Sequence, residues 1–136
     1  MTSVDIIIVN YNAGDHILKC LESVSNLQGE AEIKIWVVDN NSLDQSPEKI
    51  AQSFPKVNLI KNSQNLGFGK ANNLALKKST AEFILILNPD TILEPGTISF
   101  LTKYLDEFKD IGAATGQVVF KNGETDLTAH RGFPTP

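Results

Sequence analysis

VDIIIVNYN, residues 4–12, runs four branched apolar residues together, Ile6, Ile7, Ile8 and Val9, and then breaks into Asn10, Tyr11 and Asn12. A strand with one wet face alternates apolar and polar side chains. An unbroken run belongs to a strand covered on both faces, as in a parallel sheet between layers of helices. The figure recurs downstream: EIKIWVVD at 32–39, the shorter VNLIKN at 57–62 and FILILN at 83–88 are all β-rich and all end in polar turn residues. FILILN reads as another strand buried on both faces.

The intervening stretches carry a helical period. After Gly14, the residues Ile17, Leu18, Cys20, Leu21, Val24 and Leu27 recur three and four apart, which gathers them, Cys20 included, on one buried side. SPEKIAQSF at 46–54 predicts a helix with Ser46 as N-cap and Pro47 at its first position. GKANNLALKKS at 69–79 is helical, and PGTISFLTKYLDEF at 95–108 puts Ile98, Leu101, Leu105 and Phe108 on one face. Strand and helix therefore alternate. The connections this requires are right-handed crossovers, and the fold class is α/β: three layers, a mostly parallel sheet with helices on both faces. Asn122 and Gly123 mark a tight hairpin near the end.

Composition excludes several classes. With 41% hydrophobic and 21% charged residues among 136, the chain is neither disordered nor fibrous, and its length suits one domain with one core. A net charge of −4 leaves no broad basic surface, so no nucleic-acid partner is expected and any phosphate site is small. The lone Cys20 leaves no internal disulfide, and no apolar h-region follows the start, so the expected location is cytoplasmic. No apolar run nears the roughly 20 residues of a membrane-spanning helix. The final AHRGFPTP, at 129–136, carries two prolines and no closing signal, as expected where a single domain, 1–136, is part of a longer protein.

In an open parallel sheet, ligands bind beyond the carboxyl ends of the strands, where strand order reverses. Four polar clusters fall at those ends: Asn10, Tyr11 and Asn12; Asp39, Asn40, Asn41 and Ser42; residues 62–65; and Asn88, Pro89 and Asp90. Any one of them could simply form a turn or a cap. Together on one rim they suggest a site, because Asp39 and Asp90 would repel across the crevice unless a cation or a donor-rich ligand lay between them. Asp39 at a strand tip can accept from a ribose hydroxyl or a base N–H. Asp90 follows a proline of fixed φ, and an aimed carboxylate beside Asn88 suits a hard divalent cation that keeps waters and takes phosphate oxygens. Gly67 and Gly69, with Lys70, precede or open a helix whose amides favour an anion, although a loop packed closely around Phe68 as a core plug accounts for Gly69 equally well. His16 and His130 show no ligand spacing and read as surface or packing residues.

At this point VDIIIVNYN, VVDNNSLD, NLGFGKANN and LNPD, in order and at compatible spacing, resemble the N-terminal part of an inverting family 2 glycosyltransferase of the GT-A fold. The likeness covers nearly the whole chain. It implies transfer of a sugar from a nucleotide diphosphate donor to an acceptor hydroxyl on a saccharide or lipid-linked saccharide, with Mg²⁺ or Mn²⁺ held against the diphosphate. It implies that Asn10, Tyr11 and Asp39 cradle base and ribose, that Asn65 and Gly67 line the nucleotide pocket, and that Asp90 binds the cation. Asn88 stands in the place of the metal motif's first acid, as a neutral partner in the nucleotide site. Asn10 replaces the family's usual proline, and Asn72 its frequent arginine. These departures are shared by the rhamnosyltransferase-like branch, which favours a deoxysugar donor such as dTDP-rhamnose over UDP-glucose and points to cell-surface polysaccharide synthesis at the inner face of the membrane. HRGFPT resembles the segment that follows the nucleotide half in that branch. The resemblance implies that the general base lies beyond Pro136, so no catalytic residue is assigned within residues 1–136.

Two other readings use the same rim. A sugar-1-phosphate nucleotidyltransferase needs a glycine-rich loop with a basic residue after the first strand, which NYNAGDH lacks. A receiver-like or flavodoxin-like module without catalysis would use the asparagines only for turns, and a receiver needs paired acids where this chain has Asn10 and Asn12.

Overall fold

The computed structural model describes residues 2–27 and 29–129. Four strands form one wholly parallel sheet: β1 (Ser3–Asn10), β2 (Glu32–Asp39), β3 (Asn58–Lys61) and β4 (Phe83–Leu87), in the order β3-β2-β1-β4. The helices are α1 (Asp15–Ser25), α2 (Ser46–Ser53), α3 (Phe68–Leu76) and α4 (Thr97–Glu107). The chain steps outward from β1 to β3 and then jumps back across β1 to β4. A right-handed crossover in the reversed direction must use the other face of the sheet. Accordingly α1, α2 and the start of α4 cover one face with Ile17, Cys20, Leu21, Val24, Ile50 and Ile98, while Ala71 and Ala75 of α3 cover Ile7, Val9 and Val38 on the other. The expected three layers are present.

The unbroken apolar run suits the central position of β1, since Ile6, Ile7 and Ile8 are fully buried, each stabilising the fold by about 1.5–3 kcal/mol. The stripe on α1 also stands as expected. At the end, a single antiparallel bridge joins Val119 and Thr125 around Gly123, whose φ of 84° is the left-handed geometry that an Asn-Gly turn supplies.

Three local expectations are corrected. β4 is an edge strand buried on one face only: Ile84 and Ile86 are 36% and 52% exposed, because α3 packs chiefly on β1 and β2. Ser46 is not a cap but the first residue of α2, buried, with Gln45 at the cap position. Phe108 lies past the end of α4 and is exposed, leaving Ile98 as that helix's buried anchor and Leu101 and Leu105 half-buried.

Candidate functional site

Parallel pairing brings the carboxyl ends of all four strands to one rim. Asn10, the last residue of β1, is level with Asp39, the last of β2, and Asp39 with Lys61 of β3; on the other side Leu87 of β4 is level with Ile8. The polar residues that follow each strand are therefore neighbours, and β1 sits between Asp39 and Asp90.

The first two clusters are stitched together by side chains. Asn10 is completely buried, and its Nδ2 donates its two hydrogens to Asp39 Oδ1 at 2.7 Å and Ser46 Oγ at 2.8 Å, with Ser42 Oγ sharing them at 3.2 Å. Ser42 donates its hydroxyl to Asp39 Oδ1 at 2.6 Å and its amide to Asp39 Oδ2 at 3.1 Å. Asn12 accepts from the Leu43 amide at 2.7 Å and donates its own amide to Ser42 Oγ at 3.0 Å. Asp44 takes the amide of Gly14 at 2.9 Å, and the amide and hydroxyl of Ser46. Burial pushes the Asp44 carboxyl up, but the hydrogen bonds from Ser46 and Gly14 outweigh it and hold the group below its ordinary value. Asn12 and Asn41 sit at φ 51° and 64°, a region asparagine tolerates better than most side chains.

A second latch holds the third cluster. Asn40, only 2% exposed, accepts from Asn62 Nδ2 at 2.9 Å and the Leu66 amide at 3.4 Å, and donates to the Gly67 carbonyl at 3.3 Å. Asn65 closes the turn by accepting the Gly67 amide at 2.8 Å, and Gly67 itself needs its freedom at φ 77°. Phe68 is 52% exposed and a Cβ on Gly69 would meet nothing within 4 Å, so of the two readings of Gly69 the closely packed loop with Phe68 as a core plug is not the one observed. Asn65, Gly67 and Lys70 face solvent, while Asn72 is buried and donates back to the Phe68 carbonyl at 3.0 Å.

The fourth cluster lies across β1. Asn88 and Asp90 are exposed, and among the described residues nothing engages the Asp90 carboxylate by hydrogen bond or ion pair. Asp90 does not cap α4: that end is held by Glu30, whose carboxylate accepts from the Gly96 amide at 2.6 Å and the Ser99 amide at 3.1 Å. Beneath the cluster Cys20 Sγ approaches the Asn88 carbonyl at 3.6 Å, and burial, followed by the charge of Asp90, pushes that thiol up to about 12.

The structure thus places Asp39, Asn10 and Ser42 in contact, sets Tyr11, Asn65, Gly67, Asn88 and Asp90 at the surface, and shows Asn10 reaching Asp39 instead of solvent. Asp39 is 3% exposed, and Asn10 and Ser42 fill three of its acceptor positions with neutral donors. Among the described residues no three His, Cys, Asp or Glu side chains gather as a cation cage. An exposed single carboxylate of hard oxygens fits instead a cation that takes its remaining ligands from water and phosphate. Sequence reading missed Asn40 as a latch and Glu30 as a cap. An Asx residue directly after a strand was a signal for the first; nothing local signalled the second. His16 is exposed, as expected. His130, the HRGFPT segment and Pro136, beyond which the general base is expected, lie outside the described residues. A groove of about 500 Å³ lined by Val24, Ser25, Ile33, Ser53, Phe54 and Lys56 lies at the amino end of β2, away from the rim, and is not the candidate site.

Comparison with known proteins bears on the family and the fold. Residues 5–135 match the family model described as glycosyl transferase family 2. The chain is 31% identical to an N-acetylglucosaminyltransferase of Bradyrhizobium elkanii over 134 residues, covering 94% of this chain and 73% of the relative. It is 29% identical to the N-acetylglucosaminyl-diphospho-decaprenol L-rhamnosyltransferase of Mycobacterium tuberculosis, covering 79% of this chain and 38% of the relative. Among solved structures it resembles S. aureus TarS 1-349 in complex with UDP-GlcNAc, with TM-score 0.68 and 29% identity over 79% of this chain and 32% of that one. It also resembles the mannosyltransferase PcManGT from Pyrobaculum calidifontis in complex with GDP-Man and Mn²⁺, with TM-score 0.67 and 25% identity over 75% of this chain and 32% of that one. The chain thus spans about a third of the length of several of the proteins it matches. No helix among the described residues is long and apolar enough to cross a membrane.

Proposed function

Because the chain belongs to glycosyl transferase family 2, we propose that it forms the donor site of an inverting transferase. That enzyme moves a sugar from a nucleotide diphosphate donor to a hydroxyl of a saccharide or lipid-linked saccharide. The observation that carries this reading is the unengaged, exposed carboxylate of Asp90 on the same rim as the donor-loaded carboxylate of Asp39. Asp39 and Tyr11 receive base and ribose, with Asn10 behind them; Asn65, Gly67 and Asn88 border the nucleotide; Asp90 holds Mg²⁺ or Mn²⁺. When bound, the cation supplies stabilisation of the negative charge that develops on the leaving diphosphate. The chain's own residues bind and orient. The resemblance puts the family's general base beyond Pro136, and no catalytic role is proposed for a carboxylate at this rim.

For the donor sugar, the spellings VNYN, DNNS and NPD support rhamnose, as does likeness to a rhamnosyltransferase. Likeness to N-acetylglucosaminyltransferases supports N-acetylglucosamine as the alternative. The proposed place of action is cytoplasmic, at the inner face of the membrane. Calorimetric titration with dTDP, UDP and GDP, each with and without Mn²⁺, tests the reading. We expect Mn²⁺-dependent binding of at least one nucleotide, and we expect Asp90→Ala to abolish the metal dependence while the thermal midpoint stays in place. Failure of all three to bind, or metal dependence retained in Asp90→Ala, overturns it.

A further inference from the structure

Asn10 is one of the few polar side chains in this fold with no exposed surface, yet it lies at the centre of the rim. Its orientation is set by Asp39. The amide nitrogen faces the carboxylate, because turning the amide over would set an acceptor against an acceptor. The consequence is that Asn10 Oδ1 is buried without a partner among the described residues. An orphaned carbonyl is unfavourable, and one that persists at a site marks a stronger demand met elsewhere by the same side chain.

That demand can be counted. A carboxylate offers about four acceptor positions. On Asp39, Oδ1 receives Asn10 Nδ2 at 2.7 Å and Ser42 Oγ at 2.6 Å, and Oδ2 receives the Ser42 amide at 3.1 Å. What remains is one acceptor position, on Oδ2. Asn10 also donates to Ser46 at the start of α2, so the same amide fixes strand tip and helix start together.

We infer that Asn10 is a positioning residue for nucleotide binding: with Ser42 it locks the Asp39 carboxylate and leaves one Oδ2 acceptor to meet a nucleotide N–H or hydroxyl. It does not touch the ligand itself. The inference rests on the nucleotide reading above and goes beyond it by separating the residue that binds from the residue that aims.

A double-mutant cycle tests it. Affinity for whichever of UDP, dTDP or GDP binds the wild-type chain with Mn²⁺ is measured in Asn10→Leu, Asp39→Ala and the double variant, with folding checked by circular dichroism. A residue acting through Asp39 loses its effect when Asp39 is gone. We expect Asn10→Leu to weaken binding at least tenfold on its own and less than twofold in the Asp39→Ala background. Ser42→Ala, at a half-exposed position, takes the place of Asn10→Leu should the latter not fold, with about threefold loss expected only when Asp39 is present. Equal losses in both backgrounds, or no loss in either, overturn the positioning role and leave the nucleotide reading standing. Absence of binding by the wild-type chain overturns the nucleotide reading and the positioning role with it.

Discussion

The carboxylate of Asp44 ties the loop after β1 to the start of α2 by receiving the Gly14 amide, 30 residues away in sequence, and both polar groups of Ser46. Burial opposes its ionisation, the hydrogen bonds outweigh burial, and the folded group titrates below its ordinary value. A carboxyl group shifted down by folding contributes stability above its unfolded pKa, about 4, and loses it as pH falls through the folded value. The wild-type melting midpoint is therefore expected to drop as pH is lowered from about 5 to about 3, and Asp44→Asn to lower the midpoint at neutral pH while flattening that drop. Circular-dichroism melts at stepped pH check both. As a turn former just before a helix, Asp44 was readable from SLDQSP; its bond to Gly14 was not, because nothing in a local pattern names a partner on another loop. Asn10 shows the same division. Its position at a strand tip was legible, whereas its complete burial was decided by Ser42 and Ser46 arriving from the next crossover.

At the scale of elements, α4 is the clearest case of a helix completed from outside. Its cap residue is Gly96 at φ 88°, with no side-chain cap of its own, and Glu30, from the turn before β2, accepts two of its orphan amides. An acidic group there also meets the positive end of the helix dipole. Glu30→Ala is expected to cost about 1 kcal/mol, read as a lower urea midpoint with unchanged slope, while Glu94→Ala leaves the midpoint in place. Helix periodicity placed α1 well because its apolar stripe is buried in the core against the sheet. It misjudged the end of α4, since Phe108 continues the helical spacing after the chain has left the helix. Strand burial was misread once for a related reason: FILILN has the composition of a strand covered on both faces, and whether a face is covered depends on which helix crosses it.

At the scale of the whole molecule, the order β3-β2-β1-β4 makes β4 an edge, with an open apolar face at Ile84 and Ile86. Along α4 and just past its end, Phe100, Tyr104 and Phe108 form an exposed aromatic row with successive ring centroids 6.3 and 4.7 Å apart. An unpaired strand edge beside exposed apolar side chains invites self-association. Ile86→Thr keeps the branched β-former and is expected to shift stability by no more than about 0.5 kcal/mol while reducing concentration-dependent association in sedimentation velocity; unchanged association would place the contact elsewhere. The amino-acid sequence by itself determined the alternation of strands and helices, the parallel sheet, the doubly buried β1 and the set of polar residues that ends each strand. It could do so because burial on two faces, helical period and turn chemistry are properties of neighbouring residues. Only the tertiary structure decided that Asn10 is aimed at Asp39, 29 residues away, that Asn40 holds the Gly67 carbonyl, 27 away, and that Glu30 caps α4, 66 away at Gly96. Hydrogen bonds of that reach are selected by which loops the crossovers bring together, and no local spacing carries that information.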